Sequence, residues 1–542
     1  MKSQGSITIF FTLIMSVLFS MMGSLLLSAK VAAGRTQIAV AADQTLYSAM
    51  AKYDRQLFEE YHLLYIDGGY GTGTLQLGKA LDEMEQDMSY LLTPNKEYEI
   101  TGGVNFLQLD EMSGSISGYT LATDCQGKVF WEQVVSYMIE TLGLQGISLL
   151  TQKLRSESGI LETQEGFKQA VEENGSIEDY EDIVTEAEQL ELNNESTKND
   201  VIVALVENDS NGNLELMNVS STIMSQILTN QEIVDWTTTD QVVTEEKIDS
   251  ETQEMGEKTR DVMDTVSGLK KTSLLQLVLP DTEEVSNWSA DKTVLLRNRD
   301  IQTGMGYLEL INEENTAIDE MLFQEYMIQN LNFYGTQKHS TGPSYGVEWV
   351  LFEKLSDAEN LKASVNRLFL IREAANAMTL YNDESRYGEV KVLASALAAV
   401  LKMPAAQTVF EGAITLAWAF AESVVDVSAM LDGQTVPLVK KAESWQVEFI
   451  DILMALEEPE AFYRESSGLT YRDYLRLMLM MKSEEKKIEG CMEVIELSMR
   501  GISGKEHFSM DCAIDTLEAE FEIRAQNYKT FTITEKRSYR TM

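Results

Sequence analysis

The sequence predicts a mainly α-helical protein with a minor α+β part, fixed at its amino terminus by one membrane-spanning helix. Three observations carry this reading. Residues 6–28 are 23 consecutive positions without a charge. At about 1.5 Å of rise per residue, such a run crosses a hydrocarbon core ~30 Å thick. Six prolines in 542 residues leave room for long, uninterrupted helices. Leu46, Met50, Tyr53, Leu57, Tyr61 and Leu64 recur at three- and four-residue steps, the stripe of a helix that buries one face.

Residues 1–30 read as a short leader and a transmembrane anchor. A cleavable signal has a shorter apolar core and an A-x-A-like site, and Ser28-Ala29-Lys30-Val31-Ala32-Ala33 matches it only loosely. An uncleaved anchor is therefore favoured over a cleaved signal or a buried soluble helix. Lys2 on one side and Lys30 with Arg35 on the other nearly balance, so short-range charge does not fix orientation. Residues 31–155 read as a membrane-proximal helix plus a small α+β segment. The first helix is expected to reach about His62, with a break near Gly34, and to stop at Asp67-Gly68-Gly69-Tyr70-Gly71-Thr72-Gly73, where glycines loosen the backbone. That cluster is no phosphate loop: no strand precedes it, and neither G-x-G-x-x-G nor G-x-x-x-x-G-K-[ST] can be read. A helix is expected over 75–92, strand-like alternation from Glu97 to Thr123, and a helix from Val129 to about Lys153.

Residues 156–270 read as an acidic, partly disordered insertion. Positions 156–269 hold 28 acidic and 5 basic residues, a net charge of −23, which must stay solvated. Glu207, Asp209, Asn211 and Gly212 suit the opening of a calcium loop, but Asn218 stands where its bidentate Glu is required. The alternating flanks Val201–Val206 and Leu214–Met217 around Asn211-Gly212 favour a hairpin instead. Residues 271–542 read as a large, compact helical domain, with helices near 304–333, 345–355, 357–381, 386–402, 405–431, 440–456, 469–486, 487–500 and 510–526. Segment 405–431 is apolar enough to suggest a second span. Glu411, Glu422 and Asp426 interrupt it, and charge at membrane depth is expensive, so a buried core helix is expected.

Composition narrows the function classes. Acidic residues outnumber basic ones 87 to 43, which argues against nucleic acid as a partner because phosphates demand a basic face. Cys125, Cys491 and Cys512 are too few for a disulfide scaffold. His62, His339 and His507 lie far apart and offer no metal-ligand spacing. H-E-x-x-H, C-x-x-C and G-x-S-x-G are all absent, so metalloprotease, redox and hydrolase chemistry lack a signature. Glu422 and Asp426, one helical turn apart, have the spacing of an acid–base pair, but partnership with buried arginine explains them better. No enzymatic activity, cofactor or metal is expected.

Several segments look familiar: Leu274–Pro280, Tyr345–Phe352, Asp357–Leu361, Arg367–Asn376, Ala417–Asp426, Gly433–Lys440 with Trp445, and Tyr471–Leu475. With Gly5-Ser6-Ile7-Thr8 before the apolar helix and Ala122-Thr123-Asp124 ahead of Phe130, they resemble an uncharacterised bacterial family of single-span membrane proteins. That family is similar to accessory (TadE/TadG-like) components of tight-adherence (Tad/Flp) pilus systems. Gly5-Ser6 also resembles a prepilin processing site, although Phe10 stands where prepilins usually carry Glu. The resemblance implies pilus or secretion proteins as partners and a single-pass protein of the cell membrane, its bulk extracytoplasmic. It implies no catalytic residue.

Three expectations follow. The chain is a membrane-anchored structural or interaction protein of a Tad/Flp-like apparatus; the alternative is a cell-envelope enzyme or sensor whose acidic region binds cations or wall polymers. Arg372 is buried and pairs with a carboxylate, Glu422 first and Asp426 second. Cys491 and Cys512 are expected to remain free thiols, because the helices carrying them would be offset by about 9 Å, beyond the ~7 Å Cα reach of a bridge.

Overall fold

The computed structural model of the chain describes residues 4–92, 109–156, 250–270, 273–279, 285–306, 317–339, 341–525 and 529–541. In chain order the first helices are α1 (Gln4–Met50), α2 (Arg55–Tyr61), α3 (Leu77–Leu92), α4 (Asp124–Ser156) and α5 (Ser250–Lys270). There follow α6 (Leu274–Val278), α7 (Ala317–Asn330), α8 (Gly346–Phe352), α9 (Asp357–Asn382) and α10 (Glu384–Val400). The last are α11 (Gln407–Leu431), α12 (Ile452–Glu457), α13 (Tyr471–Met481) and α14 (Glu484–Arg500). The strands are β1 (Ile66–Asp67), β2 (Leu109–Leu121), β3 (Ala513–Ala525) and β4 (Lys529–Ser538). Helix dominates, a small antiparallel sheet accompanies it, and the expected fold class holds.

The chain divides into two compact units, each gathered from separated segments. The first takes Met1–Thr141, Lys292–Tyr326 and Glu484–Met542; the second takes Leu142–Asp291 and Met327–Ser483.

In the first unit α1 runs 47 residues as one helix. Its outer half is bare: Ile9, Phe10, Phe11, Val17, Phe19 and Leu25 are each about 60% exposed or more. Its inner half turns Ile38, Ala42, Leu46 and Met50 onto Met84 and Met88 of α3 and onto the sheet, a four-residue stripe burying one face. Gly34 does not break the helix. A Cβ there would sit 3.2 Å from the Phe531 ring, so the glycine lets β4 approach closely. The break comes later, after Met50, because the Asp54 carboxylate accepts from the amides of Gln56 and Leu57 at 3.1 and 3.2 Å and starts α2 afresh.

The sheet centres on β3. Along one edge β2 pairs antiparallel with it, from Leu109↔Ala525 to Leu121↔Ile514. Its other edge takes β4, from Thr516↔Ser538 to Ala525↔Lys529, and then β1 at Ile66↔Ile514 and Asp67↔Ala513. This corrects the helix expected near 510–526. Leu517, Ala519, Phe521, Ile523 and Ala525 are buried and alternate with Glu518, Glu520, Glu522 and Arg524, which is the period of a strand. Alanine and glutamate favour helix locally, and pairing on both edges overrides them. Two half-buried arginines tie distant segments of this unit together: Arg540 lies between Glu132 and Asp515, and Arg299 between Glu496 and Asp511.

The second unit is helical. Its centre is α11, packed by α9, α10 and α5 and buried over 94% of its most apolar stretch, as expected of a core helix. Phe369 of α9 stacks on Phe420 of α11 with ring centres 5.9 Å apart, and Lys270 at the end of α5 pairs with Glu373. Two expected helices are shorter than the sequence implied. Among the described residues of segment 304–333, helix covers Ala317–Asn330 while 304–306 and 331–333 are not helical, and 440–456 breaks into short 3-10 turns at Ala442–Ser444 and Phe449–Asp451 before α12.

Candidate functional site

The segments singled out in the carboxy-terminal half meet in one buried polar cluster of the second unit. Helix α9 begins cleanly because Ser356 accepts from the Glu359 amide, and two turns of apolar residues then carry Arg372 inward. Its guanidinium has no exposed surface. Nε and Nη2 donate to Asp426 Oδ2 at 3.0 and 2.8 Å, and Nη2 also donates to Asn376 Oδ1 at 3.0 Å. Nη1 donates to the carbonyls of Pro437 and Leu438, both at 2.8 Å, and to the Tyr474 hydroxyl at 3.0 Å. Asn376 in turn donates to Ser423 and Asp426. The planar, five-donor guanidinium is the side chain suited to such a junction.

One turn earlier on α11, Glu422 serves a different partner. Lys440 pairs with Glu422 and sits 2.6 Å from Asp426 Oδ1. Glu422 also accepts from the amides of Gln446 and Val447, at 3.0 and 2.8 Å. The Trp418 and Trp445 indoles both donate to the Val447 carbonyl at 2.7 Å. The connection from Gly433 to Val447 is thereby held over α9 and α11 by charge, backbone and ring contacts together. Two cations and two carboxylates balance, their side chains all without exposed surface, and a charge buried unpaired would be far costlier. Burial alone raises the Asp426 carboxyl, but Arg372 and Lys440 outweigh it and hold the group below its ordinary value. Burial, with Asp426 adding to it, raises Glu422 in spite of Lys440.

A second buried cluster adjoins through α13, which places Tyr471 and Tyr474 one turn apart. Tyr471 donates to Glu348 at 2.8 Å and shares a 2.8 Å hydrogen bond with Ser364. The Tyr334 amide donates to the same Glu348 oxygen at 2.9 Å, while Glu348 Oε2 has no hydrogen-bond partner among the described residues. Burial pushes this carboxyl up to about 7.

The expectation for Arg372 is thus met in burial and corrected in partner. Asp426 takes the guanidinium, because Glu422 is claimed by Lys440, a residue sequence reasoning did not single out. Two carboxylates on one buried helix face call for two cations, and that was the available signal. Asn376, four residues from Arg372 on the same face, was a further one. Neither Glu422 nor Asp426 reaches solvent, so the arrangement fastens helices to a loop and exposes no acid–base pair. Gly5 and Ser6 lie in the first turn of α1. Cys125 is exposed, Cys491 and Cys512 are buried, and all three are free; burial pushes the Cys512 thiol up to about 12. His62 stacks on Tyr137 at 4.8 Å. Among the described residues no group of three or more His, Cys, Asp or Glu could hold a metal ion. The calcium-loop and hairpin readings at 201–218, and the start of the strand-like stretch from Glu97, lie outside the described residues.

The buried clusters and their helices define a helical domain with a polar core. A family of unknown function, DUF5702, matches residues 252–525, just over half the chain, and the protein belongs to it. The match takes in every segment of both clusters and excludes α1. No curated protein and no solved structure matches the chain.

Proposed function

We propose that this protein is a membrane-anchored structural or interaction component of the cell envelope, accessory to a Tad/Flp-like pilus or secretion apparatus, with its body outside. The supporting observation is α1: one unbroken helix, bare and apolar in its outer half and docked on α3 and the sheet in its inner half. Water penalises that bare surface by about 25 cal/mol for each Å² of apolar area, and a bilayer removes the penalty. The docked half then holds the body against the membrane without a flexible joint. The family resemblance of the quoted segments supplies the pilus association.

Protease added to wall-stripped cells should digest the body and leave a protected amino-terminal fragment. A fully protected body would overturn the orientation. Crosslinking in those cells should capture pilus or secretion subunits; capture of none of them would remove the proposed association. Intact-mass analysis of the purified protein reads whether the chain starts at Met1 or at Ser6.

A further inference from the structure

Beyond Val447 the chain of the second unit enters a short helical stretch, a 3-10 turn at Phe449–Asp451 that runs straight into α12. This stretch is apolar on two faces. Phe449, Ile452, Ala455 and Leu456 are buried, and the Phe449 ring lies 5.6 Å from that of Trp418 on α11. Ile450, Leu453 and Met454 are instead 79%, 38% and 54% exposed. They stand at i, i+3 and i+4 on one helix face, and Glu457 at i+7 ends it. A helix apolar all round is ordinarily buried all round. Here one side is covered, and the other leaves a bare apolar ridge with a polar rim, the mark of an interaction surface.

The ridge is held at its base and rimmed by acid. Just before it, the Gln446 and Val447 amides are fixed on Glu422, and the Trp445 ring lies 6.2 Å from Trp418. The buried charge lock thus presents the ridge in one position, and little order has to be gained on docking. The carboxylates of Asp451, Glu457, Glu458 and Glu460 have no hydrogen-bond or ion-pair partner among the described residues. Arg386 reaches Glu448 at 3.7 Å but is held more closely by Asp383. Free carboxylates of this density repel an anionic bilayer surface and nucleic acid. They also repel a second copy, because two-fold pairing of this face would set the same acids against one another in a chain of net charge −44. An apolar face flanked by lysine or arginine satisfies ridge and rim together.

We infer that this ridge docks a basic amphipathic helix of another protein, its apolar stripe on Ile450, Leu453 and Met454 and its lysines or arginines on the surrounding acids. Side chains three and four residues apart form a ridge that fits the groove of a second helix. The inference does not rest on the pilus association, since its test reads the chemistry of the captured segment and not the name of its protein. The full chain with p-benzoyl-L-phenylalanine in place of Leu453 is produced in the cells that naturally make it and irradiated, and the crosslinked peptide is sequenced. The adduct is expected on a segment with apolar residues at three- and four-residue steps flanked by Lys or Arg. The same crosslinker at Val392, exposed on α10, should not capture that segment. Glu457→Lys with Glu458→Lys, both on exposed side chains, should cut the adduct about tenfold at an unchanged melting temperature. Ile450→Ser with Met454→Ser leaves the charge as it is and should also cut it about tenfold, which separates a docked ridge from general attraction to an acidic chain. An adduct with lipid, with a second copy or with a segment lacking basic residues overturns the inference. So does the absence of any adduct, or a yield unchanged in either double variant.

Discussion

The outer half of α1 and the whole of α11 are both long and apolar enough to cross a membrane, yet none of the first's apolar window is buried and 94% of the second's is. Hydrophobicity does not separate them; the partners of their polar atoms do. Along the outer half of α1 the polar side chains are hydroxyls, and three of them return to their own backbone. Thr12 donates to Ile9 O at 2.9 Å, Ser16 to Leu13 O at 2.8 Å and Ser24 to Met21 O at 2.9 Å. A helix satisfied from within asks nothing of its surroundings, and hydrocarbon suits it. Helix α11 carries Glu411, Glu422 and Asp426, which need donors from elsewhere: Tyr387 for the first, Lys440 and backbone amides for the second, Arg372 for the third. Its charges bind it to a protein interior.

The contrast can be broken most directly by removing those charges. An excised 407–431 segment should fail to insert in a membrane-integration assay, whereas the Glu411→Leu, Glu422→Leu, Asp426→Leu segment should insert, a swing of about 5 kcal/mol. Equal insertion of both would mean that charge is not what keeps α11 out of the bilayer. Within the folded protein, Arg372→Met leaves two buried carboxylates, Asp426 and Glu422, sharing Lys440 and should cost the second unit about 3–5 kcal/mol in denaturant unfolding. Adding Asp426→Leu should restore much of the loss. A melting temperature within a degree of the parent for the single variant would refute the lock described for this cluster.

The neighbouring acid gives a smaller, pH-dependent effect. Glu348 has a folded pKa raised to about 7, above the ~4.3 of an unfolded glutamate. The folded state therefore holds an extra proton between those values. The stability this brings is complete below about pH 4 and is lost as pH rises through 7. Glu348→Gln keeps the acceptor for Tyr334 and Tyr471 and cannot ionise. It should stabilise the second unit by about 3 kcal/mol at pH 8, with the gain vanishing toward pH 4. A pH-independent difference in melting temperature would show that Glu348 stays ionised when buried. The smallest expected effect sharpens the α1 side of the contrast. Gly34→Leu drives a side chain into Phe531 and should cost about 1–2 kcal/mol by overpacking, read as faster hydrogen exchange in β4. Unaltered exchange there would show that α1 and β4 do not depend on close approach.

Much of this contrast was legible in the chain. The charge-free run, the stripe from Leu46 to Tyr61 and the three carboxylates of α11 each state their own requirement within a few residues. Arg372 was legible as buried because it stands beside Leu368, Leu370 and Ile371 on one helix. Its partner was not. Choosing between Glu422 and Asp426 depends on where the Gly433–Val447 connection delivers Lys440, a matter of tertiary path. The strand β3 was misread for a related reason: its two-residue alternation was present, but its alanines and glutamates argue for helix until β2 and β4 supply the edges. The Gly34 contact with Phe531 joins residues almost 500 positions apart, and no local pattern announces it.

That last separation governs how the protein is made. The inner face of α1 is covered by strands at the far end of the chain: Arg537 reaches Asp43, and Tyr539 donates to the Met50 carbonyl. At about 5–20 residues per second, synthesis of the intervening chain takes roughly half a minute to a minute and a half. Throughout that interval Ile38, Ala42, Leu46 and Met50 have no sheet to lie on. A segment made early belongs to a unit that closes late, and a helper that shields an apolar helical face would find its substrate there.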